Sequence, residues 1–161
     1  MAHTNEDLMP LVHQVLANHS IVALQLDSYN ELLSIGIGDI FKELRPIAWF
    51  DRRTQEQRLI ITMQNPVIQR PTHRRQRILT PRTCRQLGLS YNGALHCDIT
   101  VTVRKPSGDI KRMESGVFMG EVPVMLGTSA CWIGAGVVSR EDAEEAEGDD
   151  LGYFVVNGQE K

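Results

Sequence analysis

Apolar positions recur at helical spacing through the first quarter of the chain and at alternating spacing after it. Leu8, Leu11, Val12, Val15 and Leu16 fall three and four residues apart, which predicts a first helix. Thr4, with Asp7 three residues on, supplies its N-cap signal, and Pro10 is tolerable only in the first turn. A longer second helix is predicted over residues 24–44. Tyr29, Leu33, Ile37, Ile40, Phe41 and Leu44 share one face, while Asp27, Glu31, Asp39 and Lys42 lie elsewhere. Gly36 and Gly38 each cost about 1 kcal/mol relative to alanine in a helix, so they point to close packing or a kink. Gly36-Ile37-Gly38 is not a dinucleotide-binding fingerprint, because no strand precedes it and the third glycine is missing.

From Arg45 onward the period changes. Residues 58–63 read as a strand that ends before Pro66. Three prolines, Pro66, Pro71 and Pro81, make the next twenty residues mostly loop, with Pro81 opening a short helix through Leu87. Residues 95–104 form a strand. Cys97, Ile99, Val101 and Val103 alternate with Asp98, Thr100, Thr102 and Arg104 along it. Pro106-Ser107-Gly108-Asp109 is a turn, residues 110–119 return antiparallel, and residues 122–126 continue extended to Gly127. The acidic stretch to Asp150 reads as a solvated loop. The predicted class is α+β: two N-terminal helices followed by a mostly antiparallel sheet, with no internal repeat and no second domain.

The last ten residues add a constraint. Tyr153-Phe154-Val155-Val156 is a β-prone run followed directly by Asn157-Gly158, a strong hairpin signal because both turn positions need positive φ. Only Gln159, Glu160 and Lys161 follow, too few on this reading for a return strand. The expectation is therefore a sheet left incomplete at the C-terminus, with an open edge that natural proteins avoid.

Composition narrows the classes. With 42% hydrophobic and 23% charged residues the chain is an ordinary globular one, not a disordered one. No run approaches the ~18 apolar residues of a membrane span, and residues 1–7 lack the features of a signal peptide, so an intracellular protein with no membrane partner is expected. Cys84, Cys97 and Cys131 fit neither a disulfide framework nor a zinc spacing and read as buried free thiols; His13 and His19 have no ligand partner on their face. The net charge of −3 hides a segregation. Six arginines, Arg70, Arg74, Arg75, Arg77, Arg82 and Arg85, fall within sixteen residues, and seven acids fall within residues 141–150. This asymmetry points to an anionic partner for the first segment and a solvated or regulatory loop for the second.

At this point the motifs resemble a known family. Residues 152–161, Gly-Tyr-Phe-Val-Val-Asn-Gly-Gln-Glu-Lys, are similar to the Gly-Tyr-Phe-Ile-Ile-Asn-Gly-Ser-Glu-Lys motif of the second-largest, β-type subunit of multisubunit DNA-directed RNA polymerases. Gln25-Leu26-Asp27-Ser28-Tyr29-Asn30 resembles that family's early helix signature. Residues 81–91, with Leu95 and Asp98, resemble its short helix and following strand, and residues 118–126 with Cys131 resemble its Gly-x-(Leu/Val)-Pro-(Ile/Val)-Met-Leu stretch. Tyr153 and Ser28-Tyr29-Asn30 look more like the archaeal, eukaryotic and large-DNA-virus branch than the bacterial one. Two departures bear on lineage: residues 84–91 differ from the usual Arg-Leu-Arg-Asn-Leu-Thr-Tyr-like run, and Gln159 stands where Ser or Thr is usual.

The resemblance implies that residues 1–161 are part of the protrusion domain, one wall of the polymerase's DNA cleft, with the lobe and all later domains outside this sequence. It implies DNA, the largest subunit and other polymerase subunits as partners, and a location that follows lineage: nucleus, archaeal cytoplasm, or host cell or virion. In this family the catalytic Asp triplet and its magnesium belong to the largest subunit, so no catalytic and no metal-binding residue is expected here, and the segment alone is expected to be inactive. The candidate nucleic-acid contacts are Arg74, Arg75, Arg82, Arg85 and Lys161. The competing reading of the arginines is that they solubilise a loop or pair with carboxylates. Trp49 and Trp132 read as core or interface anchors. Two other functions stand beside the leading one: a stand-alone polymerase-interacting protein with a protrusion-like fold, and a generic nucleic-acid-binding module.

Overall fold

The computed structural model describes residues 22–54, 56–73, 78–146 and 148–161. The predicted first helix lies outside them. The second is present as two α-helical segments, α1 (Ala23–Glu31) and α2 (Ile37–Glu43), joined by a π-helical turn over Leu32–Gly36. A π turn breaks the 3.6-residue period. Tyr29, Leu33, Ile37 and Phe41 accordingly stay half-buried, whereas Ile40 and Leu44, predicted on the same stripe, turn outward.

Four strands form one antiparallel sheet in the order β1 (Ile47–Phe50), β2 (Gln57–Ile68), β3 (Asn92–Val103) and β4 (Ile110–Pro123). The α+β class holds. Strand β1 was not foreseen, and β2 does not stop before Pro66. Instead the β2–β3 register shifts between Gln64 and Val67, and Asn65 takes φ 53°. A bulge of this kind carries a proline, which has no N–H to give to the ladder, through a strand. Asn65 Nδ2 donates to Asp98 Oδ2 at 2.8 Å, and the Gly116 N–H on β4 donates to Asp98 Oδ1 at 3.0 Å. These bonds, that from Asn65 first, hold the Asp98 carboxyl below its ordinary range.

The short helix α3 (Pro81–Leu87) forms as its punctuation requires. Thr80 caps it by accepting from the Thr83 N–H at 3.2 Å, Pro81 opens it, and Gly88 ends it in the left-handed conformation. Beyond β4 the core gathers Leu79, Cys84, Tyr91, Val124, Leu126, Cys131, Leu151 and Val155. All three cysteines are buried free thiols, as expected, and burial pushes Cys84 up to about 11.

The C-terminal expectation is corrected. Val155–Val156 (β5) pairs with Gln159–Glu160 (β6) around Asn157-Gly158, whose φ values are 51° and 74°. Phe154 and Lys161 exchange backbone bonds at 3.0 and 2.9 Å, so three residues suffice to close the hairpin. Its other side is not bare either. The Tyr91 N–H donates to the Val155 carbonyl at 2.8 Å and the Leu126 N–H to that of Tyr153 at 2.9 Å.

Gly93 on β3 lies against the backbone just past β2: a Cβ there would lie 2.2 Å from the Gln69 carbonyl oxygen, 2.8 Å from Ile68 Cγ2 and 3.2 Å from Val124 Cγ2. Gly38 in α2 has open space in the same position. Gly93→Ala is expected to destabilise by about 2–3 kcal/mol, and Gly38→Ala to stabilise by about 0.4–1 kcal/mol. Denaturation midpoints of the two variants against the parent chain check both signs.

Candidate nucleic-acid interface

Of the candidate contacts, Arg82 and Arg85 lie on α3 and Lys161 at the end of the hairpin, and the structure brings these two elements together. The hairpin turn rests on the C-terminal end of α3. The Gly158 N–H donates to the Leu89 carbonyl at 2.8 Å, and a Cβ on Gly158 would stand 2.9 Å from Gly88 Cα. No side chain fits there, which is why the turn ends in glycine. Ser90 Oγ accepts from the Asn157 N–H at 2.9 Å and fixes the other turn residue.

Arg85 occupies the centre. Its Nη1 and Nη2 donate to Glu145 Oε1 and Oε2 at 3.0 and 2.8 Å, a two-point pair. Its Nε donates to Glu160 Oε1 at 2.8 Å and its Nη2 also to Tyr153 Oη at 3.0 Å. Tyr153 Oη in turn donates to Asp149 Oδ2 at 2.7 Å. The Glu145 side chain is 3% exposed, so this carboxylate leaves water and needs a partner. Its hydrogen bond raises Arg85 above the ordinary arginine range, while burial first, then the bond to Asp149, pushes the Tyr153 phenol up. Both groups keep their neutral-pH charge states.

Arg82 pairs with Glu144 near the surface, with side-chain exposures of 44% and 60%. Lys161 is exposed, and among the described residues no carboxylate lies within ion-pair distance of its ammonium group. Arg74 and Arg75 lie outside the described residues. Sequence reasoning missed Glu145, Glu160 and Tyr153, and it read the acidic stretch as solvated throughout. That is corrected at Glu145, where the loop folds back onto α3. A local signal was absent, since Glu145 is one of seven acids in ten residues.

The early helix signature contributes through its polar atoms. Tyr29 Oη donates to the Pro123 carbonyl at 2.5 Å, its ring meets Phe154 edge-on at 5.6 Å, and Asn30 Oδ1 accepts from the Ser129 N–H at 2.9 Å. Trp132 is half-buried and donates Nε1–H to the Pro71 carbonyl at 2.6 Å, as an anchor would, whereas Trp49 on β1 is 57% exposed. Among the described residues no group of His, Cys, Asp or Glu is arranged to hold a metal ion.

Arg85→Ala would strand Glu145 away from water and is expected to cost about 2–4 kcal/mol, below the value for a fully buried pair because Arg85 is 26% exposed. Arg82→Ala should cost under about 1 kcal/mol. The double variant Arg85→Leu/Glu145→Leu should recover much of the Arg85→Ala loss, since it leaves no unpaired charge. Denaturant titrations of the three variants decide, and equal losses at Arg82 and Arg85 would refute the assignment of roles.

The family model described as RNA polymerase beta subunit matches residues 20–161. Among curated proteins, DNA-directed RNA polymerase I subunit 2 of Arabidopsis thaliana is 25% identical over all of this chain and 14% of its own length. DNA-directed RNA polymerase subunit Rpo2N of Methanocaldococcus jannaschii is 29% identical over 94% of this chain and 30% of its own length. DNA-directed RNA polymerase II subunit RPB2 of Encephalitozoon cuniculi is 28% identical over 99% and 15%. The chain thus spans between about a seventh and under a third of the length of these relatives. With three of its motifs sharing one core, the early helix signature bonded to Pro123 and packed on Phe154, and a family match over nearly its whole length, the chain belongs to the RNA polymerase beta subunit family.

Proposed function

We propose that this chain serves as the protrusion part of the second-largest subunit of a DNA-directed RNA polymerase, forming one wall of the DNA cleft during DNA-templated transcription. The observation that carries the reading is the match of residues 20–161 to that subunit family, supported by the joint placement of α3 and the Gly152–Lys161 hairpin, two of the resembling motifs. Its partners on this reading are DNA, the largest subunit and the other polymerase subunits. Magnesium and the catalytic carboxylates belong to the assembled enzyme, a nucleotidyltransferase, and the chain alone does not catalyse. Glu144, Glu145, Glu160 and Asp149 are taken up by Arg82, Arg85 and Tyr153, which supports that division of labour.

The direct phosphate contacts are assigned to Arg74, Arg75, Arg82 and Lys161. Arg85 has its donors turned to Glu145, Glu160 and Tyr153, so its contribution is to hold the hairpin that carries Lys161 against α3. Each neutralised phosphate steepens the salt dependence of duplex binding by about 0.9 in log–log slope. Fluorescence anisotropy with a short DNA duplex, between about 50 and 200 mM salt, should therefore show a steep loss of affinity. Arg74→Ala/Arg75→Ala should lower the slope by about 2, and Lys161→Ala by about 1. A salt-independent affinity, or slopes unmoved by these substitutions, would remove DNA from the reading. Separately, co-expression with the other polymerase subunits of its source should give co-purification, and its failure would favour a stand-alone role.

A further inference from the structure

The nucleic-acid reading leaves unused a groove of about 580 Å³ between the helical layer and the loop after β2. Leu33, Ile37, Val67, Ala130 and Trp132 give it apolar walls, and Arg70 stands over it. The Arg70 guanidinium lies 5.5 Å from the centre of the Trp132 ring, and its Nη2 donates to the Ser129 carbonyl at 3.4 Å. The ring is itself fixed by its Nε1–H bond to Pro71. Arg70 is thus positioned before anything binds, which lowers the ordering cost of a contact made to it. Among the described residues it has no carboxylate partner, and none of the groove's lining residues is acidic.

A held, unpaired cation above apolar walls is complementary to one kind of occupant. We propose that this groove takes a short segment of another protein in which aliphatic side chains flank a carboxylate, the aliphatic groups lying against Val67, Ile37 and Trp132 and the carboxylate pairing with Arg70. Charge complementarity selects this chemistry. A nucleic-acid backbone would require several cations along its path, and among the described residues the groove has one. A polar segment would have to shed its own water against Leu33 and Ile37 without partners for its polar groups, and a basic one would in addition meet Arg70 with the wrong sign. The proposal does not depend on the DNA contacts assigned above, because it uses none of their residues.

The test is to pan a phage-displayed random dodecapeptide library on the whole chain. Enriched sequences are then measured as fluorescein-labelled peptides. Enrichment of an acid flanked by aliphatic residues is expected. Those peptides should lose about tenfold or more in affinity against Arg70→Glu, and similarly against Val67→Asp. Both positions are exposed, so unchanged denaturation midpoints show that the variants fold. Replacing the peptide's acid with lysine should restore binding to Arg70→Glu. In a Trp49→Phe background Trp132 is the sole emitter, and its fluorescence should shift on binding. Four outcomes overturn the proposal: no enriched peptide, peptides that lack an acid, affinities indifferent to Arg70→Glu, or competition by duplex DNA. Self-association of the chain that Val67→Asp abolishes would likewise overturn it, by giving the groove to a second copy.

Discussion

Glu145 is a carboxylate with almost no access to water, and the arrangement of the C-terminal half follows from the need to pair it. The partner has to be a planar, permanently charged donor that can satisfy both oxygens, which is the role of arginine rather than lysine. Arg85 supplies it from the last turn of α3, and the same guanidinium reaches Glu160 on β6 and the Tyr153 hydroxyl. One side chain thereby ties a helix, a loop and a hairpin that are distant in sequence. A capped helix is what makes this possible, because Thr80 and Gly88 set where α3 starts and stops and so where Arg85 points.

The backbone imposes the same geometry independently. Between Tyr91 and Val155, Val124 and Tyr91, and Leu126 and Tyr153, N–H to carbonyl bonds of 2.8–2.9 Å run through the centre of the core. The Tyr91 hydroxyl, pushed up by burial, also accepts from the Trp132 N–H at 3.3 Å and lies 3.4 Å from Cys131 Sγ. Polar backbone buried among Leu126, Val124 and Val155 has to be satisfied, so the chain order of α3, β3, the end of β4 and the hairpin leaves little freedom in their packing. Three of the four motifs that resemble the polymerase family, residues 81–91, 118–126 with Cys131, and 152–161, are the segments that make these bonds, and the early helix signature joins them through Tyr29. Their recurrence as motifs thus has a structural cause as well as whatever functional one the assembly adds.

How much of this was legible in the sequence depended on how local the signal was. The limits of α3 could be read because Pro81 and Gly88 act at their own positions, and the β3–β4 pair because alternation and a Pro-Ser-Gly-Asp turn are short-range. Strand β1 could not, since Ile47-Ala48-Trp49-Phe50 is four apolar residues without alternation, and it becomes a strand only through its pairing with β2. Pro66 was read as a stop because a proline withdraws a donor; the bulge at Asn65 answers that by a conformation that the sequence does not announce. The hairpin return was dismissed on length, yet a two-residue strand holds when the turn is docked on α3 at Gly158. The site was the least legible part. Arg85 could be singled out by composition, but its partner could not, because which of seven clustered acids leaves water is decided by the fold.

The charge segregation seen along the chain takes on a different meaning once these pairs are placed. Six arginines opposite seven acids suggest two separate fields, one for an anionic partner and one for solvent. In the folded chain Arg82 meets Glu144, and Arg85 meets Glu145 and Glu160, so part of each field cancels internally. Of the described cations in question, those without a carboxylate partner are Arg70, held over Trp132, and Lys161, at the end of the hairpin that Arg85 positions. These two differ in surroundings. Arg70 rises from apolar walls and Lys161 stands in water, and a charge beside apolar surface gains more from a single well-placed partner than from a diffuse polyanion. The acidic loop therefore does more than offset the arginines in number. It pairs Arg82 at the surface and Arg85 beside the hairpin, and leaves Arg70 and Lys161 as the described cations of these segments without a carboxylate partner.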